Sequence, residues 1–318
     1  MRSMEDRRKI EEYVYSCMLQ TPEEVARLFK EYTLLIWDYK MVGAISQFYD
    51  ESTVIHRIGE HNDRQGVAET IAATMSELAA YPDLVTNFVE IFAEGNAEDG
   101  YYFAQVTYDE GTNTGFSEDG PPTGHRLTER GPCLSFCQCR VQKCDGRWKI
   151  AEEWLVRDSS AKEMPSTVSN VVAKREDSVN SNAFFDHYRA VEQHIAENPL
   201  QTNDDIRAYY CDVMELIYNC RMVGWARNFY SESVDYTEDG QVHYTTAAQI
   251  EAALLQFIAP FPDLKMEIEH CIVAPYERGY KLSGRLRFRG SNTAYSRYGA
   301  PTGKSLGDGC MCLHVLYL

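Results

Sequence analysis

The sequence predicts an α+β protein built from two similar domains, and three observations support that prediction. The chain has 318 residues, more than the roughly 100–200 of a typical single domain. In each half, segments with helical periodicity come first and long strand-like segments follow. Several segments of the first half recur in the second half in the same order. Such an order is typical of helices packed on one face of a curved antiparallel sheet.

Three segments of the first half recur at similar spacing in the second half. They are GTNTGFSEDGPPTG (111–124), returning as GSNTAYSRYGAPTG (290–303), KMVGAISQFYDES (40–52), returning as RMVGWARNFYSES (221–233), and YPDL (81–84), returning as FPDL (261–264). The two loops align without a gap and share eight of fourteen positions. A period of about 180 residues is too long for a solenoid, so we interpret the repeats as tandem domains.

We expect a first domain at 1–158, a linker at 159–182 and a second domain at 183–318. The linker is polar and rich in Ser and Asn. The first copy continues past its cysteine-rich strand through DGRWKIAEEWLVRD, whereas the second ends at CMCLHVLYL. The second domain is therefore expected to lack the closing strand, which would leave a sheet edge unpaired. Two explanations stay open, a degenerate second domain or a chain that is not full length.

The first helix of each domain carries a start signal. In TPEEVARLFKEYTLLIWDYKMV, Thr21 and Glu24 form a capping box and Pro22 takes the first helical position. Apolar residues then recur at helical spacing, at Val25, Leu28, Phe29, Tyr32 and Leu35. The second copy opens in the same way with TNDDIRAYYCDVMELIYNCRMV, and an additional helix precedes each copy.

The remaining elements follow in a fixed order. A short helix ends at Phe48–Tyr49, a strand covers 53–58, and a further helix covers 67–80. Four strand-like segments complete the domain, at 84–95, 99–111, 133–146 and 148–158. Long hairpin strands behind a run of helices indicate helices on one side of an antiparallel sheet.

Composition and charge exclude several classes of partner. The net charge of −17 and the pI near 4.9 repel phosphate, so we expect no nucleic-acid partner and no anionic membrane partner. The N-terminus has no signal-peptide pattern, and no apolar run approaches the roughly 18 residues of a membrane span. The sequence therefore predicts a soluble, cytoplasmic protein.

The ten cysteines are expected to be free thiols, because the chain is long and lacks a secretory signal. Cys137 and Cys139 are two residues apart, as are Cys310 and Cys312, so each pair would share a face of a strand. The spacing typical of zinc sites is absent, and no pair of histidines accompanies the thiols. We expect buried, unreactive thiols and no metal.

The ordered set of motifs resembles the SnoaL-like polyketide cyclase and ester cyclase families of the nuclear-transport-factor-two-like superfamily. The set comprises a helix with Phe-Tyr before the first strand, a GTxTG-type loop, a PTG, and the closing strand DG-x-W-K-I-x-E-E-W-x-x-x-D. The resemblance covers about 140 residues of the first copy and about four-fifths of that length in the second. It implies two cone-shaped domains, each with helices inside a curved sheet and a cavity for a small, mostly apolar, polyketide-like molecule.

The resemblance also implies ring closure by aldol chemistry without a cofactor, which requires a general base and donors that stabilise an enolate. The family often has His at the third position of its GTHTG-like loop, where this chain has Asn113 and Asn292. The family often has Arg five residues before that loop. Arg285 fits this pattern, whereas the first copy has Val106.

By resemblance, a carboxylate of the closing strand serves as the base. We nominate Asp158 first and Glu152 second, on one face with Trp154. Asp158 could instead be a solvated residue at the end of the strand. His56 matches a cavity histidine of the family's first strand, with a structural histidine as the alternative. The second copy lacks the closing strand and therefore a candidate base.

Candidate ligand contacts are aromatic and amide side chains and one arginine. They are Tyr49, Tyr102, Phe103, Trp154, Asn113, Asn292 and Arg285. Aromatic strand residues are more often core, and the repeated loop is best interpreted as structural, since its Gly, Pro, Asn and Thr residues favour turns.

The family often pairs two cones through the open face of the sheet, so the tandem copies are expected to form a pseudo-dimer within one chain. With an offset of 180, Arg285, Arg287 and Arg289 match Gln105, Thr107 and Asp109, and we expect this arginine stripe to face the acidic first domain. Further self-association stays open.

Two functional hypotheses follow. In the first, the first domain binds a small molecule and catalyses cofactor-free cyclase, isomerase or hydrolase-type chemistry, and the second domain is structural. In the second, the protein is a non-catalytic binding or interaction module with the same fold. A carboxylate with a raised pKa in the first domain's cavity would favour the first hypothesis.

Overall fold

The computed structural model describes residues 4–57, 63–116, 120–129, 132, 134–157, 181–238, 242–277, 279–295, 299–306 and 310–318. The chain divides into two compact units. We call the described residues up to 157 unit 1 and those from 181 onward unit 2. Asp158 and most of the expected linker lie outside the described residues.

Unit 1 is an α+β unit, as predicted. Its helices are α1 (Met4–Ser16), α2 (Pro22–Trp37), α3 (Ile45–Phe48) and α4 (Gly66–Ala80). Its strands are β1 (Val54–Arg57), β2 (Arg64–Gln65), β3 (Val85–Asn96), β4 (Gly100–Glu110), β5 (Leu134–Cys144) and β6 (Arg147–Arg157). They form one curved sheet in the order β2-β1-β6-β5-β4-β3. All neighbours are antiparallel except β1 and β6, which are parallel.

The helices of unit 1 pack on one side of this sheet, which we call its concave face. Phe29 of α2 stacks on Phe103 of β4 at a ring-centroid distance of 4.5 Å. Tyr101, Val141 and Ile150 belong to the same buried core. Because strand side chains alternate between faces, these residues fix which side of each strand the helices cover.

The predicted capping box of α2 is confirmed. The hydroxyl of Thr21 accepts a hydrogen bond from the backbone N–H of Glu24, and the Glu24 carboxylate accepts one from the backbone N–H of Thr21. We expect Thr21→Ala to reduce the free energy of unfolding by about 0.5–2 kcal/mol, because a helix-terminal N–H loses its partner. Chemical denaturation would measure the change. Thr21→Ser keeps the hydroxyl and is the matched control, so an equal loss in both variants would contradict the capping role.

Unit 2 has the same order of elements with a divided sheet. Its helices are α5 (Ser181–Glu197), α6 (Asn203–Met214), α7 (Ala226–Phe229) and α8 (Ala247–Ile258), and a π-helical turn (Glu215–Asn219) follows α6. Its strands are β7 (Ser233–Glu238), β8 (Val242–Thr246), β9 (Lys265–Tyr276), β10 (Gly279–Arg289) and β11 (Cys310–Tyr317). They form a β11-β10-β9 sheet and a separate β7-β8 hairpin. Among the described residues of unit 2, no strand takes the position that β6 occupies in unit 1.

Several local features occur in both units. Lys40 and Arg221 have positive φ angles of 59° and 60°. Lys40 donates to the carbonyls of Trp37 and Leu84, and Arg221 donates to those of Tyr218 and Leu264. In unit 1 this side chain thus links the end of α2 to the start of β3. In unit 2 it links the π-helical turn after α6 to the start of β9.

The strand register corrects the predicted match of the arginine stripe. The bulge of the β3–β4 hairpin lies between Phe88 and Glu90, and that of β9–β10 lies opposite Arg285 and Leu286. Superposing the two bulges gives an offset of 179 on β4 and β10. The stripe therefore matches Val106, Tyr108 and Glu110, not Gln105, Thr107 and Asp109. The error of one residue assigned the wrong face of β4.

The arginine stripe pairs with acids of its own unit. Arg285 and Arg287 both contact the Glu269 carboxylate, and Arg289 lies 2.9 Å from Glu267. Burial alone would raise the pKa of Glu269, but the two arginines lower it. The expected pairing of the two domains stays a prediction.

Candidate functional site

The closing strand β6 presents a different pair of charged residues to the helices than the sequence predicted. Glu153 and Arg157 lie on the concave face, because Glu153 contacts Tyr49 and Arg157 contacts Glu77 of α4. Glu152 lies on the opposite face. The reason is a bulge: Arg140 pairs with Glu152 but Val141 pairs with Ile150, so one residue of β6 is unpaired. The bulge reverses the alternation between the core residue Ile150 and the acids that follow it.

Glu153 sits among hydroxyl and thiol donors. The Tyr49 hydroxyl donates to its carboxylate at 2.6 Å, and the Cys137 thiol lies 3.4 Å from the other oxygen. Burial and the negative charge of Glu153 raise the pKa values of Tyr49 and Tyr32. Both tyrosines therefore stay protonated at neutral pH and remain donors.

Arg157 is held by an acid from the helix layer. One terminal nitrogen lies 2.6 Å from both carboxylate oxygens of Glu77, and the guanidinium lies 5.9 Å from the centre of the Trp37 ring. Burial disfavours its charge, but Glu77, Asp109 and Glu153 together raise its pKa. Arg157 is therefore charged, and its guanidinium interacts with Asp109 and Glu153 as well as with Glu77.

Asp109 is the acid at the other end of this face. Its carboxylate accepts a 2.7 Å hydrogen bond from the Thr86 hydroxyl. Burial raises the pKa of Asp109, although Arg157 and Thr86 act in the opposite direction. Asp109 is the second strand residue after Thr107, which pairs through Ser135 with Arg157. This register explains why Asp109 and Arg157 interact.

Four buried polar atoms of this face lack a hydrogen-bond partner among the described residues. They are the hydroxyl oxygens of Tyr32 and Tyr101, Oε1 of Gln105 and Nε of Arg157. Buried polar groups are normally hydrogen-bonded, so each such atom needs an explanation. A water molecule or a polar group of a ligand beside each atom would satisfy it.

The concave face changes from apolar to polar along its length. Phe103 pairs with Cys139 and then Glu153, and two residues further along the strands Gln105 pairs with Cys137. Glu153 and Arg157 are four residues apart, or about 13 Å at 3.3 Å per residue. A surface of that length with an apolar end and charged groups suits an elongated, mostly apolar molecule with polar substituents.

Two predicted catalytic residues come together on the opposite face. His56 lies 2.9 Å from Glu152 through Nε2 and 2.9 Å from Asp63 through Nδ1. Glu152 also pairs with Arg140 at 3.2 Å, and His56 stacks on Trp154. This network joins β1 to β5 and β6 on the side away from the helices, so Glu152 and Trp154 do not line the concave face.

The two loop asparagines have structural partners. Oδ1 of Asn113 accepts hydrogen bonds from the backbone N–H (2.6 Å) and the hydroxyl (3.1 Å) of Thr123. Asn292 makes the same two bonds to Thr302. Each Asn thus closes its own loop, which agrees with the structural interpretation of the repeat and leaves no oxygen lone pair directed at a ligand.

The remaining predicted contacts fall into three places. Tyr49 lies at the concave site, as described above. Phe103 is fully packed in the core against Phe29, and Tyr102 points to the opposite face, next to Arg140 in the register. Arg285 is buried in an ion pair with Glu269.

The two cysteine pairs are not equivalent in the structure. Cys137 pairs with Gln105, and the matching position of unit 2 is His314, which pairs with Gly284. The Cys137 and Cys139 sulfurs lie 3.3 Å apart. The hydrogen bond from Cys139 lowers the pKa of the Cys137 thiol, but burial and Glu153 outweigh it and raise the pKa to about 11.

Among the residues that the structure describes, two groups of side chains have the spacing of metal ligands, with ligand atoms within 4.8 Å of one another. They are Cys137, Cys139 and Glu153 in unit 1, and His187, Glu215 and Cys220 in unit 2. Burial raises the pKa values of Cys139 and Cys220, which favours protonated thiols. The expected absence of a metal stays a prediction.

Sequence reasoning missed Asp109, Glu77 and the concave position of Glu153. Asp109 follows Phe103, Gln105 and Thr107 at period two, a signal that would have placed it on the core-facing side. The position of Glu153 depends on the β5–β6 bulge, for which the sequence has no local marker.

Unit 2 contains two histidines whose pKa values lie far below the ordinary 6.5. Burial lowers the pKa of His314 to about 4, and burial with the charges of Arg285 and Arg207 lowers that of His270 to about 4. The unfolded chain then binds more protons than the folded unit between pH 6.5 and 4, so stability falls as the pH falls through this window.

We expect the loss for each histidine to be roughly 2–3 kcal/mol at pH 4, at about 1.4 kcal/mol per unit of pKa. Hydrogen exchange of unit 2 between pH 7 and 4.5 would measure it, with His270→Gln showing a shallower dependence than the wild type. An equal slope in both proteins would contradict the assignment of His270.

No family model matches the chain, and no curated protein matches it. Among solved structures, AclR from Streptomyces galilaeus, described as a candidate hydroxylase, is 20% identical over 50% of this chain and 92% of its own, with a TM-score of 0.32. A candidate SnoaL-like polyketide cyclase from Jannaschia sp. CCS1 is 13% identical over 42% of this chain and 86% of its own, with a TM-score of 0.33. Nuclear transport factor 2 from Cryptosporidium parvum is 11% identical over 44% of this chain and 99% of its own, with a TM-score of 0.32.

Each of these similarities covers half of this chain or less. In the part of the chain that the structure describes, no helix is both long and apolar enough to span a bilayer.

Proposed function

We propose that unit 1 binds a small, mostly apolar carbonyl compound and removes a proton next to its carbonyl group without a cofactor, as a cyclase or isomerase would. One observation supports this most directly. A buried carboxyl group with a raised pKa, that of Asp109, lies beside Arg157, whose Nε has no partner among the described residues. A base and a cationic donor are the two groups that enolate formation requires.

Asp109 is the proposed base. Burial raises its pKa, which makes its carboxylate a stronger proton acceptor than that of an exposed aspartate. Among the described residues, the Thr86 hydroxyl is the one hydrogen-bond donor to this carboxylate, at 2.7 Å, so the carboxylate keeps lone pairs for a substrate proton. Glu153 is a weaker candidate because Tyr49 and Cys137 already occupy its two oxygens.

Arg157 is the proposed stabiliser of the enolate oxygen. Glu77 holds one terminal nitrogen and fixes the orientation of the guanidinium, which leaves the Nε–H for the developing negative charge. The Tyr32 hydroxyl and Gln105 would bind polar substituents of the same molecule further along the face. The apolar residues beyond them would hold its hydrocarbon part.

The experiment is α-proton exchange, because it detects enolate formation without knowledge of the natural reaction. Aryl ketones such as 2-tetralone would be incubated with the protein in deuterated buffer, and loss of the α-proton signal would be followed by NMR. We expect exchange faster than in buffer with serum albumin at equal concentration. If ketones bind in a thermal-shift assay and exchange is not accelerated, the non-catalytic binding function is correct instead.

A further inference from the structure

A histidine, a glutamate and a cysteine come together beside α5 in unit 2. The ligand atoms of His187, Glu215 and Cys220 all lie within 4.8 Å of one another. Nε2 of His187 is 3.0 Å from Oε1 of Glu215, although the two residues are 28 positions apart in the chain. His187 belongs to α5, Glu215 begins the π-helical turn, and Cys220 follows that turn. The group therefore joins two separate elements of unit 2.

The π-helical turn places Glu215 and Cys220 on the same side. The backbone N–H of Cys220 donates to the carbonyl of Glu215 at 3.0 Å. In a regular α-helix, side chains five residues apart point about 140° away from each other, whereas the wider π turn brings them close to one line. The capping residues of α2 and α6 are 181 positions apart. At this offset unit 1 has Leu34 and Tyr39, and since leucine binds no metal, the ligand set is a feature of unit 2 alone.

Neighbouring groups fix two of the three side chains. The Asn219 amide donates to Oε2 of Glu215, which leaves Oε1 facing His187. Asn219 is itself held by β9, since it donates to the carbonyl of Met266 at 2.9 Å and accepts from the Met266 N–H at 2.8 Å. Cys220 is 2% exposed and belongs to a small apolar cluster. Partners that orient ligands in this way raise metal affinity.

The donor set suits zinc. Imidazole nitrogen, thiolate sulfur and carboxylate oxygen are the ligands that Zn²⁺ takes, and its bond lengths place the ligand atoms of a tetrahedral site about 3.3–3.6 Å apart. The side chain of His187 is 52% exposed, so it can rotate by the small distance that this geometry requires. Three protein ligands leave the fourth position to water, on the side of the half-exposed imidazole.

The charges of the group also favour a divalent cation. Without metal, burial and the charge of Glu215 raise the pKa of the Cys220 thiol, whereas Lys265 acts in the opposite direction. A zinc ion replaces the thiol proton when it binds. The resulting thiolate and the carboxylate together balance the two positive charges of the ion, and the net charge of −17 attracts cations to the protein.

We propose that His187, Glu215 and Cys220 bind a zinc ion, which fastens α5 to the π-helical turn of unit 2. The expectation of no metal rested on the spacing of the cysteine pairs, and the site revises it for unit 2, because its ligands are brought together by the fold. The proposal does not depend on the function of unit 1, since it uses no residue of that unit.

Titration with cobalt(II) tests the site, because a sulfur ligand gives cobalt a charge-transfer band in the near-ultraviolet. We expect chelator-treated protein to bind one cobalt ion with this band, and zinc to displace it. Cys220→Ser should abolish the band. Cys139→Ser, in the other group with metal-ligand spacing, should retain it and is the matched control. A wild type without the band, or a band that persists in Cys220→Ser, would overturn the proposal.

His187→Gln decides the question even if Cys220→Ser fails to fold, because it changes a half-exposed side chain. We expect zinc affinity, measured by competition with a chromophoric chelator, to fall at least about 10-fold, since loss of an outer partner alone costs about 10–100-fold. His194→Gln changes a histidine of the same helix that pairs with Asp212, and its affinity should stay within about twofold of the wild type. Equal affinities of His187→Gln and the wild type would overturn the site.

Hydrogen exchange tests the consequence for α5. In the wild type, zinc should slow exchange of the α5 amides, because the ion links this helix to the rest of unit 2. In His187→Gln the same zinc concentration should have little effect. Exchange of α5 that zinc leaves unchanged in the wild type would overturn the fastening role.

Discussion

Asp109→Asn is expected to slow α-proton exchange by unit 1 about 10²–10⁴-fold, the contribution typical of a positioned general base. The amide keeps the size of the side chain and can still accept from the Thr86 hydroxyl, so the loss would reflect proton transfer and not packing. Ketone affinity, measured by thermal shift, should change much less than the exchange rate.

The matched control is Glu110→Gln, the next residue on β4, whose side chain points to the opposite face. Its carboxylate accepts a 3.2 Å hydrogen bond from Asn87, and Gln retains that acceptor. Exchange should stay within about twofold of the wild type, as for surface changes within ±0.5 kcal/mol. If both variants lost activity equally, Asp109 would have no specific role.

The pH dependence provides an independent test of Asp109. The base acts only when ionised, so exchange should fall as the pH falls through its pKa. Because burial raises that pKa, the fall should occur at higher pH than for an exposed aspartate with its ordinary value of 3.8. A rate that stays constant down to pH 4 would show that Asp109 is not the base.

Phe29→Ala should have the largest effect on stability, roughly 3–5 kcal/mol for a buried Phe replaced by Ala. The ring is 1% exposed and touches three other rings, with centroid distances of 4.5 Å to Phe103, 5.8 Å to Phe48 and 6.0 Å to Tyr32. The substitution leaves a cavity between α2 and the sheet that the surrounding strands cannot fill.

Hydrogen exchange with mass spectrometry resolves the effect by unit. Amides of α2 and of β4 to β6 should lose protection, while those of α6 and β9 to β11 should keep it. Phe116→Ala is the control, since that ring is 72% exposed, and it should change stability by less than about 0.5 kcal/mol. Similar losses in the two variants would contradict the role of Phe29 in the core.

Local signals predicted the fold well where they act over a few residues. The capping box at Thr21 and the turn residues of the repeated loop concern neighbours in sequence, and the structure agrees with them. The α+β class follows from such signals because the order of helices and strands restricts how they can pack.

The candidate site was harder to predict because it depends on register. One unpaired residue in β6 places Glu153, and not Glu152, on the concave face. An offset that was wrong by one residue assigned Asp109 to the opposite face of β4. Both errors arise from bulges, which are set by how two strands pair and not by the composition of either strand alone.

The parallel pairing of β1 with β6 delays the completion of the unit 1 sheet while the chain is being synthesised. The Thr53 hydroxyl bonds to the carbonyl of Ile150, 97 residues later in the chain. At roughly 5–20 residues per second of synthesis, β1 emerges from the ribosome several seconds before its parallel neighbour β6 exists. Each described strand of unit 2 pairs with a strand adjacent in sequence, so these contacts are more local and favour faster folding. During synthesis, the strands of unit 2 therefore wait less time for their pairing partners than β1 waits for β6.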